Sequence, residues 1–599
     1  MVLSHWRLVI DQAGITPEVR NYEYEGSGTD ADPYLVKWIP NDPRNPMNFS
    51  DAKKWLITGV VAISTLAVAL VSSAYSGGIA EIIAQFRISQ EVAILGVSLF
   101  VLGFAIGPLL WAPLSELFGR QVLFFGTYGA LTAFNAGCTG AQNAWTLIIL
   151  RFFAGAFGSS PLTNAGGVIA DMFPASQRGQ AMAIFAAAPF LGPVLGPIIG
   201  GFLGESAGWR WVMGFLAAFS GTLWILGTLL VPETYAPVLL RQRAAKLSKI
   251  TGKNYISVID RDQGRLSLGE SFKIALSRPW ILLFTEPIVF LLSLYMAIIY
   301  GTLYMLFAAF PIVYQQNRGW SAGIGGLSFL GILVGMVFAI AYTFPDNKRY
   351  IRAQGRHGGF APPEARLPPT LVGSIFLPIG LFWFAWTNYP SLHFMVSISA
   401  GVPFGFGMVL VFLSIMNYLI DSYTIFAASV LAANSVLRSL FGAAFPLFTT
   451  YMYQNLGIHW ASSIPAFLAL ACVPFPFLFY KYGASIRQRC KFAAQSAAFM
   501  QKMAQDAQAS SDPEVSSDPE DTAEEKQEPS DAGEGDKPAS VDGSESRIAE
   551  RASLSLTHTR RRAGSWATRD TNGAPISRTR TYEGNPYDID RVNTRESFA

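Results

Sequence analysis

Between Leu56 and Tyr480 the chain returns about twelve times to an apolar stretch near 20 residues long, with short polar loops between. A stretch of that length, wound as a helix, crosses a hydrocarbon core of about 30 Å. Inside lipid every backbone N–H and C=O must be bonded within its own segment, so a series of such stretches folds as a helical bundle. The expected spans begin near Leu56, Val92, Val122, Trp145, Gln180 and Trp211, then near Trp280, Ile324, Leu371, Phe394, Thr424 and Trp460. Six and six, separated by a basic loop, imply an internal repeat. The expectation is an all-α integral membrane protein: a segment 1–54, a six-helix bundle 55–232, a central loop 233–279, a second bundle 280–484 and a disordered tail 485–599.

Composition agrees with a lipid solvent. Of 599 residues 51% are hydrophobic and only 14% charged, too few charges for a water-exposed surface. A net charge of +3 gives no reason to expect nucleic acid as a partner. Cys138, Cys472 and Cys490 lack metal or disulfide spacing and read as packing residues. The first 50 residues are polar, so no cleavable leader is expected.

Lys and Arg mark the cytoplasmic loops. Arg120 and Arg178 follow spans two and four, and Arg241, Arg243, Lys246, Lys249 and Lys253 follow span six. Lys348, Arg349, Arg352, Arg356 and Arg366 follow span eight, and Lys481, Arg487, Arg489 and Lys491 follow span twelve. Odd exits carry chiefly Arg87, Arg210 and Arg318. Both termini are therefore expected in the cytoplasm, which puts the sequon at Asn48 out of reach of glycosylation. After about Gln495 a Ser/Glu/Asp/Pro-rich tail repeats Ser-Ser-Asp-Pro-Glu at Ser510 and Ser516, then turns basic at Arg560, Arg561 and Arg562. Such a tail cannot bury a core; it suits anionic lipid or control by phosphorylation.

Four groups of residues stand out. At the end of span two, Gly107 permits close helix approach while Glu116, Gly119 and Arg120 form a breakable electrostatic latch; anchoring by Arg120 alone is the plain alternative. Arg151 lies several residues inside span four, where an ionised group is costly unless paired or facing a cavity. Span five carries Gly192, Pro193, Gly196, Pro197, Gly200 and Gly201, a nearly side-chain-free stripe suited to a neighbour from the other bundle. In the second half Glu286 falls inside span seven and Arg438 inside span eleven, with Asp421 near the inner end of span ten. Glu286 is the expected coupling acid, with a structural pair to Arg438 as the competing reading. Tyr295, Tyr300, Tyr304, Trp383 and Asn417 complete the candidate cavity; stacked aromatics would suit flat or cationic substrates, while packing remains open for most of them.

The string from Gly107 to Arg120 resembles the loop motif of the major facilitator superfamily, although Gln121 stands where a second basic residue is usual. Arg151-Phe-Phe-Ala-Gly155 resembles the span-four motif of its proton-coupled members, and the tandem Gly-Pro stripe resembles the motif of drug:proton antiporters. Asn45-Pro-Met-Asn-Phe-Ser50, Pro232-Glu-Thr-Tyr-Ala-Pro237 and Pro363-Glu-Ala-Arg-Leu-Pro368 extend the likeness to the fungal twelve-span branch, from about Asn45 to Arg487. The resemblance implies a monomeric, multi-pass plasma-membrane exporter of drugs, toxins, secondary metabolites or polyamines, needing no cofactor and driven by protons, with Arg151 and Glu286 coupling. A nutrient importer and a transporter-like sensor signalling through its tail are the alternatives. No Walker loop, zinc spacing or nucleophile elbow points to an enzyme.

Overall fold

The computed structural model describes residues 4–264, 267–356 and 361–509. Ten helical stretches within it are apolar and long enough to cross a membrane. One of these, Thr424–Arg489, is 66 residues long and breaks at Gly457, whose φ of 72° ends one helix and starts another. A further 20-residue helix, Arg120–Thr139, joins them, and the expected twelve spans result. In chain order they are α1 (Asp51–Ala74), α2 (Gln90–Phe118), α3 (Arg120–Thr139), α4 (Ala144–Met172), α5 (Ala175–Ala207), α6 (Trp209–Leu230), α7 (Pro287–Phe310), α8 (Leu330–Arg356), α9 (Pro368–Trp386), α10 (Gly401–Ser422), α11 (427–456) and α12 (458–489).

The two halves repeat one packing scheme. Helix α1 packs on α5, α2 on α4 and α3 on α6; in the second half α7 packs on α11, α8 on α10 and α9 on α12. Glycines set the close approaches. Gly192, Gly196 and Gly200 of α5 face the α1 backbone at Leu66–Ala74, and a Cβ on Gly200 would overlap the Ala74 carbonyl. Gly331 and Gly335 meet α10 or the turn before it in the same manner, while Gly405 meets the Ile332 carbonyl.

Sharp span breaks depend on left-handed glycines capped by distant carboxylates. Gly119 (φ 99°) separates α2 from α3, and the Glu233 carboxylate accepts the Arg120 and Gln121 N–H groups at 3.0 Å each. Gly208 (φ 93°) separates α5 from α6, and Glu81 accepts the Trp209 N–H at 2.6 Å. In both places a carboxylate satisfies orphan donors at a helix start, where the helix dipole also favours it.

The basic loops share one end of the bundles, here termed the basic end; the other is the far end. At the basic end residues 4–49 do not stand apart as a plain polar segment. Strand β1 (Tyr34–Val36) pairs in parallel with β2 (Tyr255–Ser257), and the fully buried pair Asp42–Arg243 ties the N-terminal segment to the helix Ala236–Thr251. Arg44, beside it, donates to the Glu233 carbonyl at 3.1 Å, and burial pulls its guanidinium down to about 10. Helical structure also runs past the expected tail boundary at 485, through a helix Lys491–Ala509 whose Ala493 and Ser496 are buried. The Ser-Ser-Asp-Pro-Glu repeat and Arg560–Arg562 lie outside the described residues.

Candidate functional site

Two groups of polar, charged and aromatic side chains emerge, one at the contact between the halves and one at the basic end. The first is a polar and aromatic column. Arg151 projects from α4 about two turns in from its start and is fully buried. Its Nε donates to the Gly96 carbonyl of α2 at 2.5 Å, and Nη2 donates to the Val71 and Ser72 carbonyls of α1 at 3.2 Å each. The tightening of α1 into a 3-10 turn at Tyr75–Gly78 accounts for a free acceptor: the Tyr75 N–H turns to Ser73 rather than to Val71. The guanidinium also lies over the rings of Tyr75 (4.4 Å) and Phe100 (4.9 Å). Arg151 is thus paired with backbone dipoles and ring faces, one of the ways an intramembrane guanidinium becomes tolerable.

From Ser72 the column crosses to the second half. Ser72 Oγ bonds the Tyr304 hydroxyl at 2.8 Å and donates to the Ala69 carbonyl, while the Tyr300 hydroxyl donates to Tyr304 at 3.3 Å. Arg438 of α11 places its guanidinium over Tyr300 (4.7 Å) and Phe412 (5.2 Å), and Phe412 meets Phe190 of α5 with ring centroids 4.7 Å apart. Arg151, Tyr300, Tyr304 and Arg438, predicted separately, therefore belong to one construction.

Other candidates lie elsewhere. Tyr295 is buried but sits nine residues before Tyr304, about 180° around the helix, with its hydroxyl unpartnered among the described residues. Trp383 is 41% exposed on the outer face of α9, while its neighbour Phe382 packs on Phe467 of α12; it is not a cavity residue here. Asn417 is exposed on α10, five residues beyond Phe412.

Glu286 requires a correction. It is not inside a span but at the junction where the helix Leu268–Thr285 ends and α7 begins, because Pro287 cannot continue the preceding hydrogen-bond ladder. The carboxylate is buried and accepts from the Tyr423 hydroxyl (2.8 Å) and the Phe492 N–H (3.0 Å). Fourteen residues of helix, about 21 Å, separate it from Tyr300, so the Glu286–Arg438 pair is excluded.

The second group is the basic-end network. Gly107 lets α2 sit on α4, where a Cβ would overlap Ser159 Oγ. Arg120 forms its ion pair with Asp171, at 3.6 Å, rather than with Glu116; it also donates to Ser115 and Asn164 and stacks on Tyr235 at 4.7 Å. Glu116 stands near enough to act on Arg120 through its charge. The second half repeats this network: Arg366 pairs with Asp421 at 2.8 Å and Arg487 with Glu364 at 2.8 Å. Asp171 escaped the sequence reading, and Glu233 and Tyr235 entered it only as part of the Pro232–Pro237 string, because each lies far along the chain from Arg120, although Asp171 at the end of an apolar helix was a signal.

At the far end the stripe serves two neighbours. Gly192, Gly196 and Gly200 face α1 within their own half, whereas Gly201 meets Ala322 and the Pro197 carbonyl meets Gly326 of the other half. Glu205 accepts the Gly323 N–H at 3.0 Å and completes that seal. Among the described residues no group of three or more His, Cys, Asp or Glu side chains is placed to hold a metal ion.

Residues 61–446 match the family model of the Major Facilitator Superfamily. The chain is 69% identical over its whole length to a protein of Aspergillus fumigatus named major facilitator superfamily multidrug transporter mdrA, covering 96% of it. It is 67% identical to the MFS-type efflux pump MFS2 of Trichophyton rubrum, over 99% of this chain and 95% of that one. Among solved structures, the proton:xylose symporter XylE bound to 6-bromo-6-deoxy-D-glucose superposes with a TM-score of 0.52 at 15% identity, over 72% of this chain and 96% of that chain.

Proposed function

The chain belongs to the major facilitator superfamily, and from that premise we propose that it exports small organic molecules across the plasma membrane by alternating access, driven by protons flowing inward. It is a multi-pass membrane protein, not an enzyme. The observation that carries the reading is the column: two repeated halves meet through Ser72–Tyr304 and Phe190–Phe412 at a site that must open and close as they rock. The names of the Aspergillus and Trichophyton relatives, a multidrug transporter and an efflux pump, support the outward direction.

In this reading the far end is sealed by Gly201–Ala322 and Glu205–Gly323, and the basic end faces the cytoplasm. Arg151 ties α1, α2 and α4 together where α1 changes pitch, so it couples rearrangement of the 3-10 turn to the column. Glu286 acts as a switch at the cytoplasmic end, where its state governs the bond to Phe492, rather than as a carrier beside the substrate.

Purified full-length protein in liposomes with an imposed pH gradient tests the reading. Substrate moving against its own gradient, in exchange for protons, is the expected result, with loss of coupling in Arg151→Gln. Movement indifferent to the pH gradient, or uptake in the direction of the protons, would overturn it.

A further inference from the structure

The charges in the column are of one sign. The span carboxylates gather at the ends: Glu91 and Glu205, with Glu81 nearby, at the far end, and Asp51, Glu116, Asp171, Asp346 and Asp421 at the basic end, where the last three pair with arginines. Among the described residues none touches the column, which nevertheless holds two guanidinium groups, Arg151 and Arg438.

The two arginines differ in what they still lack. Arg151 is engaged by three backbone carbonyls and enclosed completely. Arg438 is half-buried and, among the described residues, makes neither an ion pair nor a hydrogen bond; its Nε is enclosed and unpartnered. A guanidinium presents donors in a planar fork that matches a carboxylate, and an unmet buried donor favours whatever ligand supplies the acceptor. Around it Tyr300, Phe412 and Phe190 supply flat apolar faces.

We infer that the transported substrates are planar aromatic or heteroaromatic organic anions, and that Arg438 is the residue that binds their carboxylate or other acidic group. This deepens the exporter reading and rests on it for where the substrate binds. It reverses the sequence-based expectation of cation stacking. The faces of Tyr300 and Phe412 are occupied by Arg438, and an incoming cation would meet two like charges with no carboxylate to receive it. An anion enters with the opposite balance: it meets the Arg438 guanidinium, parts the Phe190–Phe412 contact as the halves move to pack its ring there, and competes with the Ser72–Tyr304 contact that joins the halves.

The test is binding to the purified full-length protein, followed by tryptophan fluorescence, of three molecules sharing one ring system: 2-naphthoate, 2-naphthamide and 2-naphthylmethylamine. The expected result is naphthoate tighter than the amide by at least tenfold, with the amine weakest. In Arg438→Gln the naphthoate/amide ratio falls to about one while amide affinity holds; in Arg438→Lys, which keeps the charge, most of the preference remains. If Arg438→Gln does not fold, a naphthoate preference that persists in Arg438→Lys but weakens as salt rises still supports the assignment. A tighter amine, equal affinities, no binding of any of the three, or a ratio unchanged in Arg438→Gln each overturns it. Direction is read separately: naphthoate preferred in binding but carried inward in liposomes would refute export and leave the substrate class standing.

Discussion

The two halves repeat one packing scheme, yet they invest their charges differently. In the first half the pair Arg120–Asp171 is nearly enclosed, at 10% and 4% side-chain exposure, and the Glu233 carboxylate accepts four backbone N–H groups, those of Arg120, Gln121, Thr234 and Tyr235. The corresponding pair Arg366–Asp421 is 27% exposed on both sides, and the buried Glu286 accepts from one N–H and one hydroxyl. The column shows the same asymmetry, with Arg151 saturated by carbonyls and Arg438 without a hydrogen bond among the described residues. A rigid first half bearing against a more loosely pinned second half is a natural way to build a rocking machine, and the difference can be broken by substitution.

The largest separation is expected from Asp171→Asn against Asp421→Asn. Removing one partner of a buried pair strands the other charge, at a cost of about 3 kcal/mol; at the partly exposed pair water takes over and the loss is under about 1 kcal/mol. Because such proteins unfold irreversibly, the measurement is the half-life of folded protein in detergent at fixed temperature. Asp171→Asn should shorten it by well over tenfold and Asp421→Asn by a few fold at most. Equal effects would erase the asymmetry.

Next in size is Arg151→Gln against Arg438→Gln. The first leaves buried carbonyls without donors, a loss of about 2 kcal/mol, and should slow flux of every substrate. The second forfeits cation–π contacts worth about 1 kcal/mol and should leave folding intact, its effect falling on which substrates bind. Equal destabilisation, followed by thermal unfolding, would show that Arg438 is structural after all.

Smaller still is the contrast between Gly200→Val and Gly201→Val. The first drives a Cβ into the Ala74 carbonyl within one half and should impair folding; the second meets Ala322 across the halves and should open the far end in a folded protein. Labelling of Ser72→Cys by a membrane-impermeant reagent from the far side should rise severalfold in the Gly201→Val background. If labelling stays flat, the stripe does not seal that end.

What could be read from the sequence follows from range. Span number, the repeat and the Gly-Pro stripe are local patterns; most spans start within about five residues of expectation, but α7, α8 and α10 start six or seven residues later than expected, at Pro287, Leu330 and Gly401. The second glycine seam, Gly331 and Gly335 with Gly405, was missed because its members are divided between two helices, so neither helix alone shows a tandem Gly-Pro stripe. Tyr295 could have been set apart from Tyr304 by helical arithmetic alone. Asp171 and Glu233 could not have been assigned to Arg120, since nothing local says which distant carboxylate reaches a helix start. Glu286 was misplaced because span seven was started near Trp280, whereas Pro287 is the first residue of α7.

The smallest expected effect concerns the looser half, and it is read by chemistry rather than stability. Cys490 is buried next to Glu286, and burial together with that carboxylate pushes its thiol up to about 12. Since only the thiolate alkylates, labelling at pH 8 is slow and should rise about tenfold per pH unit up to roughly pH 11. Glu286→Gln removes the negative charge, so the thiol pKa falls, and weakens the bond to the Phe492 N–H that docks the helix Lys491–Ala509. Both changes point the same way, towards faster labelling at pH 8 by fivefold or more, with a stability loss near 1 kcal/mol. The matching change in the first half, Glu233→Gln, should instead lower stability by more than that, because four backbone donors depend on the carboxylate and Gln offers one acceptor oxygen in place of two. Unchanged Cys490 labelling in Glu286→Gln would mean that the ring contact of Phe492 with Phe426 and the Ser496 bond to Ile425 hold the helix unaided, and the second half would then be pinned as firmly as the first.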